Sequence, residues 1–192
     1  MFPQRQKLVF SLSFPEDQVT FIDVGGGSTE AVWKDSEGLQ SCSFPLGALR
    51  LKEYFFTNDP PLTSEIRKLK EYLDSFIRPY CQIWSGNSLI GAGGTITTLA
   101  SVKQGLTDYQ PRLLHGVRLT QEEIENMLAH FLNQPLEKRK EIMGLPSNRA
   151  DIIISGTLIV SNWLQQCGQD EIIVSEADLL AGALTYRQKI IL

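Results

Sequence analysis

Residues 21–30 read Phe21-Ile22-Asp23-Val24-Gly25-Gly26-Gly27-Ser28-Thr29-Glu30, and the fold turns on this stretch. A strand-like run, Val19–Val24, meets a short loop, Gly25–Ser28, and the chain returns over Thr29–Lys34. Glycines let successive N–H groups converge on one anion, as in the backbone nests that hold phosphate oxygens. Ser28 and Thr29 add hydroxyl donors. If the loop is confined to Gly25–Ser28, Val24 opposes Thr29, and Asp23 therefore opposes Glu30 across the hairpin. Two carboxylates at the mouth of an anion loop repel phosphate unless a hard cation lies between them. Mg²⁺ is the expected metal, with Asp23 and Glu30 as its ligands. The alternative is a plain glycine-rich hairpin with solvated acids. Three successive glycines argue against it, because each costs conformational entropy where two would complete the turn.

Outward from the loop, Asp35–Gly38 reads as a turn and Leu39–Phe44 as a third strand, giving an antiparallel meander. Thr63 and Ser64 open a helix with Ile66, Leu69, Leu73, Phe76 and Ile77 at helical spacing. A strand within Ile83–Gly91 runs into Ala92-Gly93-Gly94-Thr95 and then a helix to about Val102. Thr120 to Glu123 is a T-x-x-E capping box ahead of a helix whose buried stripe is Ile124, Met127, Leu128, Phe131 and Leu132. A very apolar helix is expected over Asn148–Cys167, then a strand at Ile172–Ser175 and a last helix to about Lys189. Residues 1–17 give mixed signals and are expected to form an arm or helix ahead of one domain over 18–192. The order β-β-β-α-β-α…α-β-α predicts an α/β fold, a mixed sheet with helices on both faces.

The second loop, Gly91-Ala92-Gly93-Gly94-Thr95, follows a strand and opens a helix whose N-terminus can present N–H groups to an anion. Alone it reads equally as a helix start with Thr95 near the cap. It lacks the Gly-Lys-Ser/Thr of a Walker loop and the third glycine of a dinucleotide fingerprint, where Ile96 stands. Paired with the first loop, it suggests one phosphate clamped from two sides. Arg149 sits near a helix start, as many surface arginines do, and near a phosphate it can give bidentate contacts. His115 and His130 are too isolated for a metal site. Trp33, Trp84 and Trp163 read as core rather than as a platform for bases.

At 192 residues, 42% hydrophobic and 21% charged, the chain can bury a core. A formal net charge of −4 without a Lys/Arg run argues against nucleic acid as a partner. An anionic substrate must then be held by local backbone donors and a metal. Ile152–Leu164 is too short and too interrupted to span a bilayer, and Leu8–Phe14 too short for a signal-peptide core, so no membrane partner is expected. Cys42, Cys81 and Cys167 offer no CxxC pair and read as isolated buried thiols, which fits a cytoplasmic protein.

At these residues the chain resembles the Ppx/GppA family of exopolyphosphatases and guanosine-pentaphosphate phosphohydrolases. Ile22–Glu30 is close to the family's signature. Gly91–Thr95, then His115-Gly116-Val117-Arg118-Leu119-Thr120, Gly144-Leu145 with Arg149-Ala150-Asp151, and Val174-Ser175-Glu176 through Gly182 follow in order. The resemblance runs from about Val19 to Arg187. It implies the actin/sugar-kinase/Hsp70 superfamily, with two ribonuclease H-like lobes and the site between them. This chain is expected to be the second, C-terminal lobe, with the first lobe absent. The resemblance makes Asp23 and Glu30 the catalytic, magnesium-associated acids. It makes Gly25, Gly26, Gly27, Ser28 and Thr29 a phosphate loop, joined by Gly93, Gly94 and Thr95, with Arg149 facing substrate phosphate.

The reaction so implied is release of terminal phosphate from polyphosphate or guanosine pentaphosphate. The family's general-base Glu, from a Ser-Gly-x-Glu-Glu-Ala-like stretch, finds no match: no Glu precedes Glu16, and an ungapped match there puts Arg5 at that position. Leu180-Ala181 stands where many members carry Arg-Glu. The expectation is a phosphate-holding lobe that lacks its base and is inactive or very weak alone. Its rivals are a noncatalytic phosphate or nucleotide-polyphosphate binding module and half of a sugar-kinase-like ATPase. A lobe without its partner leaves an apolar cleft face to be covered. The chain is therefore expected to form a homodimer or to join a separate first lobe. Sedimentation of the purified chain should give a dimer, and a monodisperse monomer at high concentration would count against it.

Overall fold

Alternation along the first strands sets one face of the sheet. The computed structural model describes residues 18–176. β1 (Val19–Val24) buries Thr20, Ile22 and Val24, and β2 (Thr29–Asp35) buries Thr29, Ala31 and Trp33. β3 (Gly38–Phe44) closes the meander through a turn in which Gly38 takes φ +117° and Asp35 Oδ1 accepts the Glu37 amide at 2.9 Å. The three expected strands are all present, displaced by a residue at most.

β4 (Ser88–Ala92) runs parallel to β1, and β6 (Glu171–Val174) runs parallel to β4. Central parallel strands are covered on both faces and read as continuous apolar runs. Leu89–Ala92 and Ile172–Val174 are accordingly buried throughout. β5 (Arg118–Thr120) pairs antiparallel with β6, giving the order β3-β2-β1-β4-β6-β5. It was not expected, since three residues ending at a capping Thr are too few to show alternation.

The helices are α1 (Ala48–Phe55), α2 (Thr63–Ile77), α3 (Cys81–Trp84), α4 (Gly94–Gln104), α5 (Pro111–Leu114), α6 (Gln121–Leu132), α7 (Leu136–Arg139) and α8 (Ile153–Cys167). The unexpected ones, α1, α3, α5 and α7, span one or two turns, too short for a period to emerge. α6 opens on the expected capping box: Thr120 Oγ1 accepts the Glu123 amide at 3.2 Å and Glu123 Oε2 accepts the Thr120 amide at 2.9 Å. α8 starts at Ile153 instead of near Asn148. Pro146 leads into a 3₁₀ turn, Ser147–Arg149, whose tighter bonds Arg149 N–H to Pro146 O and Ile152 N–H to Arg149 O hold that segment outside the helix. The arm over 1–17 and the last helix to Lys189 lie outside the described residues.

α8 is buried from Ile153 to Leu164, the mark of a helix that is itself core. Its polar groups fasten neighbours to it. Ser155 Oγ donates to Ala48 O at 2.6 Å, Asn162 Nδ2 donates to Asp74 Oδ1 at 2.8 Å, and Ser161 donates to Glu125. Trp84 and Trp163 stack at 4.6 Å with Trp33 edge-on to Trp84 at 5.7 Å, so the tryptophans are core as expected.

α2 is anchored where Glu65 gathers the Thr57 amide (2.9 Å) and hydroxyl (2.7 Å), Asn58 Nδ2 (3.1 Å) and the Leu62 amide (2.7 Å). These donors, the Thr57 amide foremost, hold the carboxyl at about 2 against an ordinary 4.5, although burial pushes the other way. Because the folded-state value is depressed, the stability it brings is full above the ordinary value and is lost as pH falls toward 2. Glu65→Gln should therefore cost about 2–3 kcal/mol at neutral pH and make stability less steep in acid. Urea midpoints from pH 7 downward check this: variant and wild type should converge at the acid end.

Candidate phosphate site

The β1–β2 hairpin has the expected register, with Asp23 facing Glu30 and Val24 facing Thr29. The same row runs Ala92, Asp23, Glu30, Ser43 across four strands, all on one side of the sheet. Glu30 Oε1 accepts the hydroxyls of Ser28 at 2.6 Å and Ser43 at 2.8 Å, charge-assisted bonds that fix the carboxylate. The Gly25 amide closes the loop onto Ser28 O at 2.9 Å.

The first amides of α1 have no partner within their own helix. They find one in the loop: Ala48 N–H donates to Gly25 O at 3.0 Å, and Leu49 and Arg50 donate to Gly26 O at 3.0 and 3.1 Å. In a trans peptide a carbonyl and the following N–H point in opposite directions. The amides of Gly26 and Gly27 are thereby turned away from the start of α1, and neither meets a protein acceptor among the described residues. A Cβ at Gly47 would lie 2.2 Å from Gly26 O, so only glycine lets α1 approach this closely.

The second loop docks on the first through Gly93, whose φ is +92° and whose added Cβ would lie 2.5 Å from Asp23 Oδ1 and 2.6 Å from Val24 O. At the next residue, Arg149 lies against the backbone, its Cζ 3.0 Å from where a Gly94 Cβ would stand. Arg149 Nη1 donates to Gly94 O and to Thr98 Oγ1, both at 2.8 Å, while Nε and Nη2 meet no protein acceptor among the described residues. Arg139, 2% exposed, anchors the following residue. Its Nε donates to Ala150 O at 2.9 Å, Nη1 to Gln134 O at 2.6 Å, and Nη2 pairs with Asp59 Oδ1 at 2.5 Å.

One cavity of about 190 Å³ is walled by Gly25, Gly26, Gly94, Thr95, Arg149 and Ile153. The structure thus brings both glycine loops and Arg149 to one place. Other expected donors are used within the chain. The Gly25 amide closes the turn, the Ser28 hydroxyl serves Glu30, and Thr29 is buried with its hydroxyl on Leu46 O at 2.5 Å. Beyond Arg149 lies a larger cavity of about 500 Å³, lined in part by Thr98, Leu106, Asp108, Tyr109, Glu141 and Met143. Sequence reasoning missed Gly47, Thr98 and Arg139. A Gly after Pro45 and ahead of an amphipathic octet was the only signal for the first, and the other two carried none.

Among the described residues no group of three or more His, Cys, Asp and Glu could hold a metal, so the acids stand as a pair. Mg²⁺ often takes one or two carboxylates and completes its shell with phosphate oxygens and water, which this pair fits. No described helix is long and apolar enough to cross a membrane.

The sheet order and crossovers define an α/β domain of the actin-like kind. The chain belongs to the Ppx/GppA phosphatase family, whose sequence model matches residues 7–187. It is 36% identical over 174 residues to a bifunctional 3-dehydroquinate synthase/phosphatase of Fusobacterium nucleatum, a match covering 88% of this chain and 26% of that protein. It is 29% identical over 169 residues to exopolyphosphatase 2 of Mycobacterium tuberculosis, covering 84% of this chain and 53% of that protein. The crystal structure of the Aquifex aeolicus Ppx/GppA family member superposes with a TM-score of 0.83 at 32% identity, over 95% of this chain and 60% of the other. The chain therefore spans about half the length of the exopolyphosphatase it matches.

The glycines differ in why they are needed. A Cβ at Gly27 meets nothing within 4 Å, whereas one at Gly47 collides with the loop backbone. Gly47→Ala should cost about 1–3 kcal/mol as overpacking. Gly27→Ala should stay within about 0.5 kcal/mol of wild type. Urea unfolding of the two variants side by side measures the contrast.

Proposed function

We propose that this chain is the phosphate-holding half of a phosphoanhydride hydrolase that releases terminal phosphate from polyphosphate or guanosine pentaphosphate. One observation carries the reading: a single small cavity bordered by Gly25, Gly26, Gly94 and Arg149. The Gly26 amide at its edge and the neighbouring Gly27 amide meet no protein acceptor among the described residues. A Cβ at Gly26 would touch only Leu49 Cβ at 3.8 Å, so a closely approaching anion would find room. The Gly26 and Gly27 amides would hold two phosphate oxygens, and Arg149 Nε and Nη2 would offer a fork to a third. Ile152 and Ile153 on the cavity wall limit water around the bound group. Asp23 and Glu30 would hold Mg²⁺, which when bound offsets the charge of the phosphate. The Ser28 and Ser43 hydroxyls keep Glu30 in position for that task.

No carboxylate lines the cavity among the described residues, so nothing there takes a proton from an attacking water. Such a group contributes about 10²–10⁴-fold. In our reading it comes from a complementary lobe, and the chain alone is very weak as a hydrolase. That two relatives are named phosphatase and exopolyphosphatase, and are much longer than this chain, supports the reading. The same missing base favours, as a second reading, a module that binds such anions without cleaving them. The larger neighbouring cavity combines Arg149 and several hydroxyls with apolar Leu106, Ile142 and Met143, and its acids Asp108 and Glu141 would receive an organic group better than further phosphates.

Calorimetric titration with short polyphosphate and with guanosine pentaphosphate, with and without Mg²⁺, tests the site. The chain should bind with Kd on the order of millimolar, about −4 kcal/mol. Arg149→Ala should weaken binding roughly 10-fold or more by removing charge-assisted bonds. Asp23→Ala should remove the Mg²⁺ dependence. Gly26→Val should remove binding, and Gly26→Ala, whose Cβ meets only Leu49 Cβ at 3.8 Å, should leave the unfolding temperature nearly unchanged. Equal binding by wild type and Gly26→Val overturns the site. Robust Mg²⁺-dependent phosphate release by the chain alone overturns the half-enzyme reading.

A further inference from the structure

Cys81 and Cys167 put their sulfurs 3.0 Å apart although 86 residues separate them in sequence. Their spacing suggested isolated thiols, and the fold makes them a pair. Cys81 opens α3, is half-buried, and directs its thiol at Ile77 O at 3.3 Å. Cys167 closes α8 and is 3% exposed. The sulfur separation exceeds the disulfide bond length by only about 1 Å. The phosphate site uses neither residue.

We propose that Cys81 and Cys167 form a reversible disulfide, a thiol-redox site that takes low-molecular-weight disulfides as its oxidant. The more accessible Cys81 thiolate attacks one sulfur of the small disulfide, whose S–S bond breaks to release the first small thiolate, which is protonated to a thiol. Cys167 then gives its proton to solvent and attacks Cys81 Sγ. The mixed disulfide breaks and the second small thiol leaves. Two protein thiols are oxidised and one small disulfide is reduced to two thiols. Burial first, and then the neighbouring Cys81, push the Cys167 thiol up, which fits it to the second role. Contact with its target replaces the reactivity it lacks as a free thiol.

The bond would tie two segments that both lead to the phosphate cavity. α3 is followed by β4 and the Gly93–Thr95 loop, and the opposite end of α8 carries Ile153 on the cavity wall. An internal reporter lies beside it. Cys81 shares α3 with Trp84, and Cys167 follows Trp163 by one helical turn, with the two indoles stacked at 4.6 Å.

The full chain, equilibrated with oxidised glutathione and then denatured for thiol titration, should fall from three free thiols to one. Peptide mapping should join Cys81 to Cys167, and indole emission should be quenched. The unfolding temperature should rise by roughly 5–10 °C, and reductant should reverse all of it. Cys42→Ser should behave the same way, whereas Cys81→Ser and Cys167→Ser should show no rise. A link through Cys42, a mixed disulfide at Cys81 that leaves the Cys167 thiol free, or an oxidised chain with an unchanged unfolding temperature would each overturn the proposal.

Discussion

Three hydrogen bonds, from the amides of Ala48, Leu49 and Arg50 to the carbonyls of Gly25 and Gly26, fix the part of the chain on which everything else at the site depends. The start of a helix is short of acceptors and carries partial positive charge, so loop carbonyls satisfy it well. Each bond is worth only about 0.5–1.5 kcal/mol net. Their importance is directional, since by occupying the loop's carbonyls they settle which way its amides face. α1 is itself held to the buried α8 through Ser155 and Ala48 O. The loop's orientation is therefore referred to the core of the domain and not left to the turn alone.

The glycines around the cavity fall into two kinds. Gly47 and Gly93 are required by the chain's own packing: a Cβ at Gly47 would sit inside van der Waals contact with backbone of the first loop, and one at Gly93 with backbone of Val24 just ahead of it. Gly26 and Gly27 are not, for a Cβ at Gly26 would make only an ordinary contact with Leu49 and one at Gly27 would meet nothing within 4 Å. The first pair lets two loops and a helix close on one another. The second leaves bare backbone on a surface held rigid from behind, so little ordering would remain to be done on binding. Arg149 is prepared in the same manner, with one nitrogen held by Gly94 O and Thr98 and the next residue clamped by Arg139.

Much of this was legible in the sequence because it is written in short-range signals. Three glycines between two alternating strands gave the hairpin, its register and the pairing of Asp23 with Glu30. Apolar spacing gave α2 and α6, and Thr120 with Glu123 gave the start of the latter. Other features were illegible for identifiable reasons. β5 and the shortest helices lack enough residues to display a period. The partner of the buried Thr29 hydroxyl, Leu46 O, and the second serine on Glu30, Ser43, are brought near only by the third strand and the turn after it. Arg139 reads as one more basic residue in Glu137-Lys138-Arg139-Lys140, and only its burial against Asp59 and Ala150 O distinguishes it from its neighbours. The contact between Cys81 and Cys167 is likewise a product of tertiary structure, invisible to spacing rules.

The pairing of Asp23 with Glu30 also restricts how the hairpin can change in length. Strand side chains alternate, so sliding β2 by one residue against β1 would exchange its two faces. Ala31 and Trp33 would leave the core, and Glu30 would enter it. A residue inserted into or removed from the loop must then be accommodated within the loop, at the cost of its hydrogen bonds to α1, and cannot be passed on to the strands. The register that sets Asp23 opposite Glu30 is thus enforced by the hydrophobic interior several residues away, whether or not any ligand is bound.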